Sequence, residues 1–111
     1  MAVINGPTIA AGASLSDQID ISNGQVVAIM TPDDWTPANM SFQVAFVSGG
    51  PFHNLYDITY GGEVLVTCIP GSCSLVHVDT MPKNTFFKFR SGTAANPVPQ
   101  VAERKFQVLI V

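Results

Sequence analysis

Met40-Ser41-Phe42-Gln43-Val44-Ala45-Phe46 alternates large apolar residues with small or polar ones. Successive side chains leave opposite faces of a pleated strand, so a period of two marks a half-buried β-strand. Phe42, Val44 and Phe46 fall on one face and Ser41, Gln43 and Ala45 on the other. The same parity recurs downstream, where Phe87 and Phe89 oppose Phe86, Lys88 and Arg90. In the closing segment Phe106, Val108 and Ile110 oppose Gln107, Leu109 and Val111, so that strand is apolar on both faces. A two-sided apolar strand needs a covering loop or a neighbouring chain.

Nowhere do apolar residues hold the i, i+3, i+4, i+7 spacing of a helix over three turns. Strand-like segments instead cover residues 16–21, 25–30, 40–46, 52–57, 63–68, 74–79, 85–90 and 105–111. Turn residues separate them: Asn23-Gly24, Ser48-Gly49-Gly50-Pro51, Tyr60-Gly61-Gly62, Pro70-Gly71, Met81-Pro82 and Ser91-Gly92. The expectation is an all-β antiparallel sandwich of about eight strands, one domain over residues 1–111. Thr31-Pro32-Asp33-Asp34-Trp35 reads as a one-turn helix start that anchors Trp35 to the core. Residues 94–100, carrying Pro97 and Pro99, read as an extended loop, since proline donates nothing to a ladder.

Of the 111 residues, 47% are hydrophobic and 12% charged, where roughly 25% charged is ordinary for a soluble domain. Area scaling lets a chain of this size bury about two-thirds of its surface, enough for a core without staples. No apolar run reaches the ~18 residues that span a bilayer. No base precedes Lys83, so a secretory leader with its positive start is not expected and the chain reads as an intracellular, unprocessed product. Seven of the eight acids lie before Lys83, and all five bases lie from there on, giving −7 over residues 1–82 and +4 after. A net charge of −3 does not suit phosphate neutralisation, which argues against a nucleic-acid partner.

Cys68 and Cys73 flank a Pro70-Gly71 turn, which leaves open two small thiols or a disulfide closing a short loop. No metal or cofactor set is legible: a closed zinc site needs four ligands, and His77 is the nearest further one. His53 and His77 sit in strand patterns as outward polar residues, and Asp33-Asp34 suits the positive end of a helical turn. Asp57 and Glu63 bracket a turn that would hold calcium only if more oxygens converged. Nothing in the spacing of Ser, His and Asp points to catalysis, so no enzyme is expected. Trp35, Phe52, Tyr56 and Tyr60 are the aromatics that would stack on a sugar, with core filling as the competing reading.

Residues 35–52, W-T-P-A-N-M-S-F-Q-V-A-F-V-S-G-G-P-F, resemble a family of small proteins encoded in tailed-bacteriophage genomes. The closing F-K-F-R-S-G-T-A-A-N-P-V-P-Q-V-A-E-R-K-F-Q-V-L-I-V and the early I-A-A-G-A-S-L-S-D-Q-I-D-I are similar to the same family. The resemblance implies a virion structural protein, most concretely a capsid decoration or cement protein on the head, made in the host cytoplasm. A neck or tail accessory role is the variant. The A-N-M-S-F-Q-V-A-F stretch is also similar to the discoidin or galactose-binding-like jelly roll, which implies that fold and offers a carbohydrate-binding module as the alternative function. That family's turn carries an Asp where this chain has Val47-Ser48-Gly49-Gly50, so no ligand or calcium role is carried over to the loop.

A chain this poor in charge is expected to cover part of its surface with copies of itself or with the major capsid protein or other virion subunits. Strand parity points to Phe86, Lys88 and Arg90, with the loop around Pro97 and Pro99, as the interface. Neither a membrane nor a nucleic acid enters this reading.

Overall fold

The computed structural model describes residues 2–59 and 61–111. Its strands are β1 (Ala2–Ile9), β2 (Ile19–Ile21), β3 (Val26–Met30), β4 (Met40–Ala45), β5 (His53–Asn54), β6 (Tyr56–Asp57), β7 (Gly62–Glu63), β8 (Cys73–Leu75), β9 (Thr85–Ser91) and β10 (Arg104–Ile110), with a short 3-10 turn at Val78–Thr80. Two four-stranded sheets result, one in the order β1-β10-β3-β8 and one in the order β2-β9-β4-β5, beside a β6-β7 pair. All the pairings are antiparallel. The chain is an antiparallel β-sandwich.

Parity explains the core. Phe42 lies directly opposite Phe89 in the β4–β9 ladder, and Val44 lies opposite Phe87. Phe42, Phe87 and Phe89 are fully buried, and from the other sheet β10 sends in Phe106, Val108 and Ile110. Phe106 meets Phe89 edge to face at 5.6 Å, and Trp35 caps the other side of Phe106 at 6.0 Å. Phe89 in turn meets Phe42 at 5.6 Å, which meets Phe87 at 5.8 Å. Such contacts add about 0.5–1.5 kcal/mol each beyond area burial.

Several elements depart from the sequence reading. β1 lies outside the segments that the sequence pattern marks as strands. It carries a register shift between Asn5 and Thr8, with Gly6 at φ +106°, a conformation costly for any residue with a Cβ. Residues 63–68 do not form a strand beyond Glu63, and Val66 contributes a single bridge to Met40. Residues 74–79 end as a strand at Leu75 and pass into the 3-10 turn. β4 stops at Ala45, so Phe46 is 85% exposed and does not join Phe42 in the core. The Pro32–Trp35 segment is a tight turn, closed by the Trp35 N–H donating to the Pro32 carbonyl at 3.1 Å, and not a helical turn. Trp35 is buried and its Nε1–H donates to the Ala38 carbonyl at 3.2 Å, which anchors the turn.

Polar residues of the closing segment are equally buried, and each is spent internally. Gln100, fully buried, accepts the Thr36 N–H at 2.8 Å and donates to the Thr36 carbonyl at 3.1 Å, which ties the tryptophan turn to the lead-in of β10. Gly92, at φ +89°, lies where a Cβ would sit 2.5 Å from the Asn96 carbonyl oxygen. No other residue fits there without moving the 93–98 loop.

Truncating Phe89→Ala removes the ring that links both sheets, and the expected loss is about 3–5 kcal/mol of unfolding free energy. Urea unfolding of the variant checks this, with a loss below about 1 kcal/mol indicating that the sheets are held by something else.

Candidate interaction surface

The outer face of the β4 sheet carries the residues that parity singled out. Phe86 is half-buried, flanked across the ladder by Asp20 and Ala45. Lys88 places its ammonium 4.6 Å from the centre of the Phe52 ring, a cation–π contact within the chain. Arg90 has the outward parity, yet it is buried. Its guanidinium donates to Ser41 Oγ at 2.9 Å, Asn54 Oδ1 at 2.9 Å and Glu63 Oε2 at 3.0 Å. Glu63 also accepts the Ala94 N–H at 3.0 Å, so one carboxylate clamps the β6-β7 pair and the 93–98 loop over β9. Sequence parity alone does not see this cover, because it is built from residues remote in the chain. Pro97 and Pro99 are exposed.

Other groups weighed from sequence are also committed elsewhere. Asp34 pairs with Arg104 at 3.0 Å. Asp57 accepts the Thr59 N–H at 2.9 Å, and Glu63 is engaged as above, so each carboxylate already has a partner within the chain. Trp35 lies inside the core and presents no face to a sugar. Tyr56 is 57% exposed, and Tyr60 lies outside the described residues. Both cysteines are free: Cys68 is buried and Cys73 exposed, so the disulfide alternative is not what the structure holds. Burial pushes the Cys68 thiol up to about 11. Among the described residues no three His, Cys, Asp or Glu side chains gather as metal ligands, and no helix is long and apolar enough to cross a membrane.

Two depressions flank the edges of the sandwich. One, of about 530 Å³, is lined by polar groups including Asp57, Thr67, Ser74, His77 and Thr80. The other, of about 560 Å³, is apolar, with Phe46, Val47, Pro51, Leu55, Tyr56 and Pro82 around His53 and Asn54.

A second uncommitted apolar surface lies on the opposite sheet. Because Phe106, Val108 and Ile110 of β10 point inward, Leu109 and Gln107 point out. The registers place Val3, Leu109, Ala28 and Leu75 side by side across the four strands. The next row out reads Asn5, Gln107, Met30 and Cys73. Leu75 is 83% exposed, Val3 55% and Met30 48%, and a groove of about 150 Å³ is lined by Val3, Ala28, Met30, Cys73, Gln107 and Leu109. Neither row contains a charged residue. The two-sided pattern of β10 announced such a face, but Val3, Ala28 and Leu75 come from three other segments that only the sheet order brings together. No protein-family model and no curated protein matches the chain.

The fold loses stability as pH rises from the ordinary thiol value of 9.0 toward about 11, because the Cys68 thiol of the unfolded chain ionises first. Below 9.0 that contribution is fully present. Denaturant midpoints at about pH 8 and about pH 10 should separate for the native chain more than for Cys68→Ala, and equal separations would rule out a buried thiol.

Proposed function

We propose that the chain is a virion structural protein of a tailed bacteriophage, a capsid decoration or cement protein of jelly-roll fold that binds and stabilises the assembled head. The strand order supports the fold part of this reading. The ladders join β1 to β10, β2 to β9, β3 to β8 and β4 to β5, so the sandwich strands pair first with last, inward to the middle. That nesting is what a wrapped double-stranded ribbon produces, and jelly rolls of this kind serve viral capsids and lectins.

The observation that carries the function is the charge-free outer face of the β1 sheet, where exposed Val3, Leu75 and Met30 stand with half-buried Leu109 among the uncharged Asn5, Gln107 and Cys73. Water is a poor environment for Val3, Met30, Leu75 and Leu109 together, and a subunit lattice that covers them recovers that cost. A molecule seated across adjacent capsid subunits binds the assembled state and not the separated one, so it stabilises the shell by mass action. No cofactor is needed. Partners on this reading are the major capsid protein or other virion subunits and further copies of the chain itself, on the virion head after synthesis in the host cytoplasm.

Purified protein is expected to co-sediment with assembled heads of the encoding phage, saturably and in fixed ratio to the capsid subunit. Leu75→Glu and Met30→Glu should each weaken binding about tenfold or more, near 1.4 kcal/mol. Both side chains are exposed, so stability should change by no more than about 0.5 kcal/mol. Undiminished binding by both variants would reject this face, and absence of binding would reject the decoration role. A fixed low copy number in the particle would favour the neck or tail instead. The carbohydrate alternative finds its support in the apolar groove, where exposed Tyr56 stands beside His53 and Asn54. Glycan binding lost in Tyr56→Ala would favour it over the head.

A further inference from the structure

The outer edges of the two sheets are unequal. β5 has two residues, β8 three and β2 three, whereas β1 has eight. Long open edges are normally blunted by charge, proline or a bulge. β1 carries those devices only in its second half: the register shift after Asn5, Pro7, and Asp17, whose carboxylate takes the Thr8 N–H at 2.9 Å while its own N–H donates to the Thr8 carbonyl. Ala2-Val3-Ile4-Asn5 has none of them.

Ladder alternation identifies which groups are open. Val27 and Thr31 bond toward β8, through Val76 and Ser72. Alternation then turns Ala28 and Met30 toward Leu109 and Gln107, and leaves Ala2 and Ile4 to bond Ile110 and Val108. The N–H and C=O of Val3 and Asn5 therefore face away from the sheet. Ile4 points into the sandwich and packs on the core, yet remains only half-buried.

We infer that a second copy of the chain pairs here, β1 against β1 in antiparallel register about a two-fold axis through Ile4. Val3 of one copy then stands opposite Asn5 of the other, and each such pair exchanges two backbone hydrogen bonds. All four open groups are satisfied with no leftover donor, which makes the edge self-complementary as a two-fold interface requires. The paired segment bears no charge, so the copies meet there without like-charge repulsion despite a net charge of −3 each. Ile4 meets its own symmetry mate and loses its remaining exposure. The two β1 sheets become one continuous sheet, and their apolar outer faces lie on the same side. This dimer supplies the self-association in the reading above but rests on the edge geometry alone.

Disulfide trapping in a Cys73→Ser background tests the register on free protein, with no heads present. Ile4→Cys places two thiols at the closest kind of cross-strand pair and should form a covalent dimer on mild oxidation. Val3→Cys places them two residues out of register, beyond the ~7 Å limit for a bridge, and should not. Sedimentation equilibrium should show a dimer for the native chain and a monomer for Val3→Pro, which removes one outward N–H without touching the ladder to β10. Should Val3→Pro fail to fold, amide exchange on the native chain decides: Val3 and Asn5 slow as concentration rises. A native chain monomeric at every concentration, concentration-independent exchange at those amides, or trapping through Val3→Cys in preference to Ile4→Cys would each overturn the inference. Leu75→Glu should lose head binding and keep the dimer, so failure of one reading is distinguishable from failure of the other.

Discussion

The edge-to-face contact between Phe106 and Phe89 is the point at which one sheet meets the other, and the rest of the structure is arranged around it. Trp35 extends the aromatic line on one side, and Phe42 and Phe87 extend it on the other. Tilted rings of this kind place positive edges against negative faces, so they fix relative orientation as well as burying area. A sandwich with few charges has few other means of fixing it. The two buried cations, Arg90 and Arg104, act at the flanks: one holds the β6-β7 pair to β9 and the other holds the tryptophan turn to β10.

This division of labour makes the two outer faces different. On the β4 sheet the outward positions include Lys88, Gln43, Ser41 and Arg90 beside a half-buried Phe86, and the chain's own loops and carboxylates satisfy much of the polarity. On the β1 sheet the outward positions are Val3, Leu109, Ala28, Leu75 and Met30, and nothing within the described residues lies over the exposed members. A face whose polar groups are already paired gains little from a partner, while an uncovered apolar face gains from any surface that excludes water. The asymmetry directs attention to the β1 sheet for assembly, with its edge and its face available to different neighbours.

Arg90, Ser91 and Gly92 are joined through shared partners. Arg90 reaches Ser41, the Ser41 hydroxyl reaches the Gly92 carbonyl at 2.8 Å, and Gly92 leaves no space for a side chain against residues 96–98. Ser91 closes the loop by bonding the Val98 carbonyl. A break at any one of these leaves a buried donor or acceptor without its partner, which costs more than a single surface hydrogen bond is worth.

Alternation in residues 40–46, 85–90 and 105–111 was enough to determine the fold class and the inward set Phe42, Phe87, Phe89, Phe106 and Val108, because side-chain direction in a strand depends on local backbone geometry alone, whereas Phe46 shares the parity but lies past the end of β4. The apolar second face of β10 was legible in the same way, as was the burial of Trp35. Other features depend on contacts between distant segments, and local pattern is silent about them. β1 has no sustained alternation of its own, and pairing with β10 across a register shift is what makes it a strand. Arg90 had the parity of a surface cation, and only Glu63 and Asn54, brought over it by the fold, make it a buried one. The candidate surface itself is a row drawn from four strands, so it exists only once the order β1-β10-β3-β8 is set, because hydrogen-bonded register and not chain position decides which side chains become neighbours.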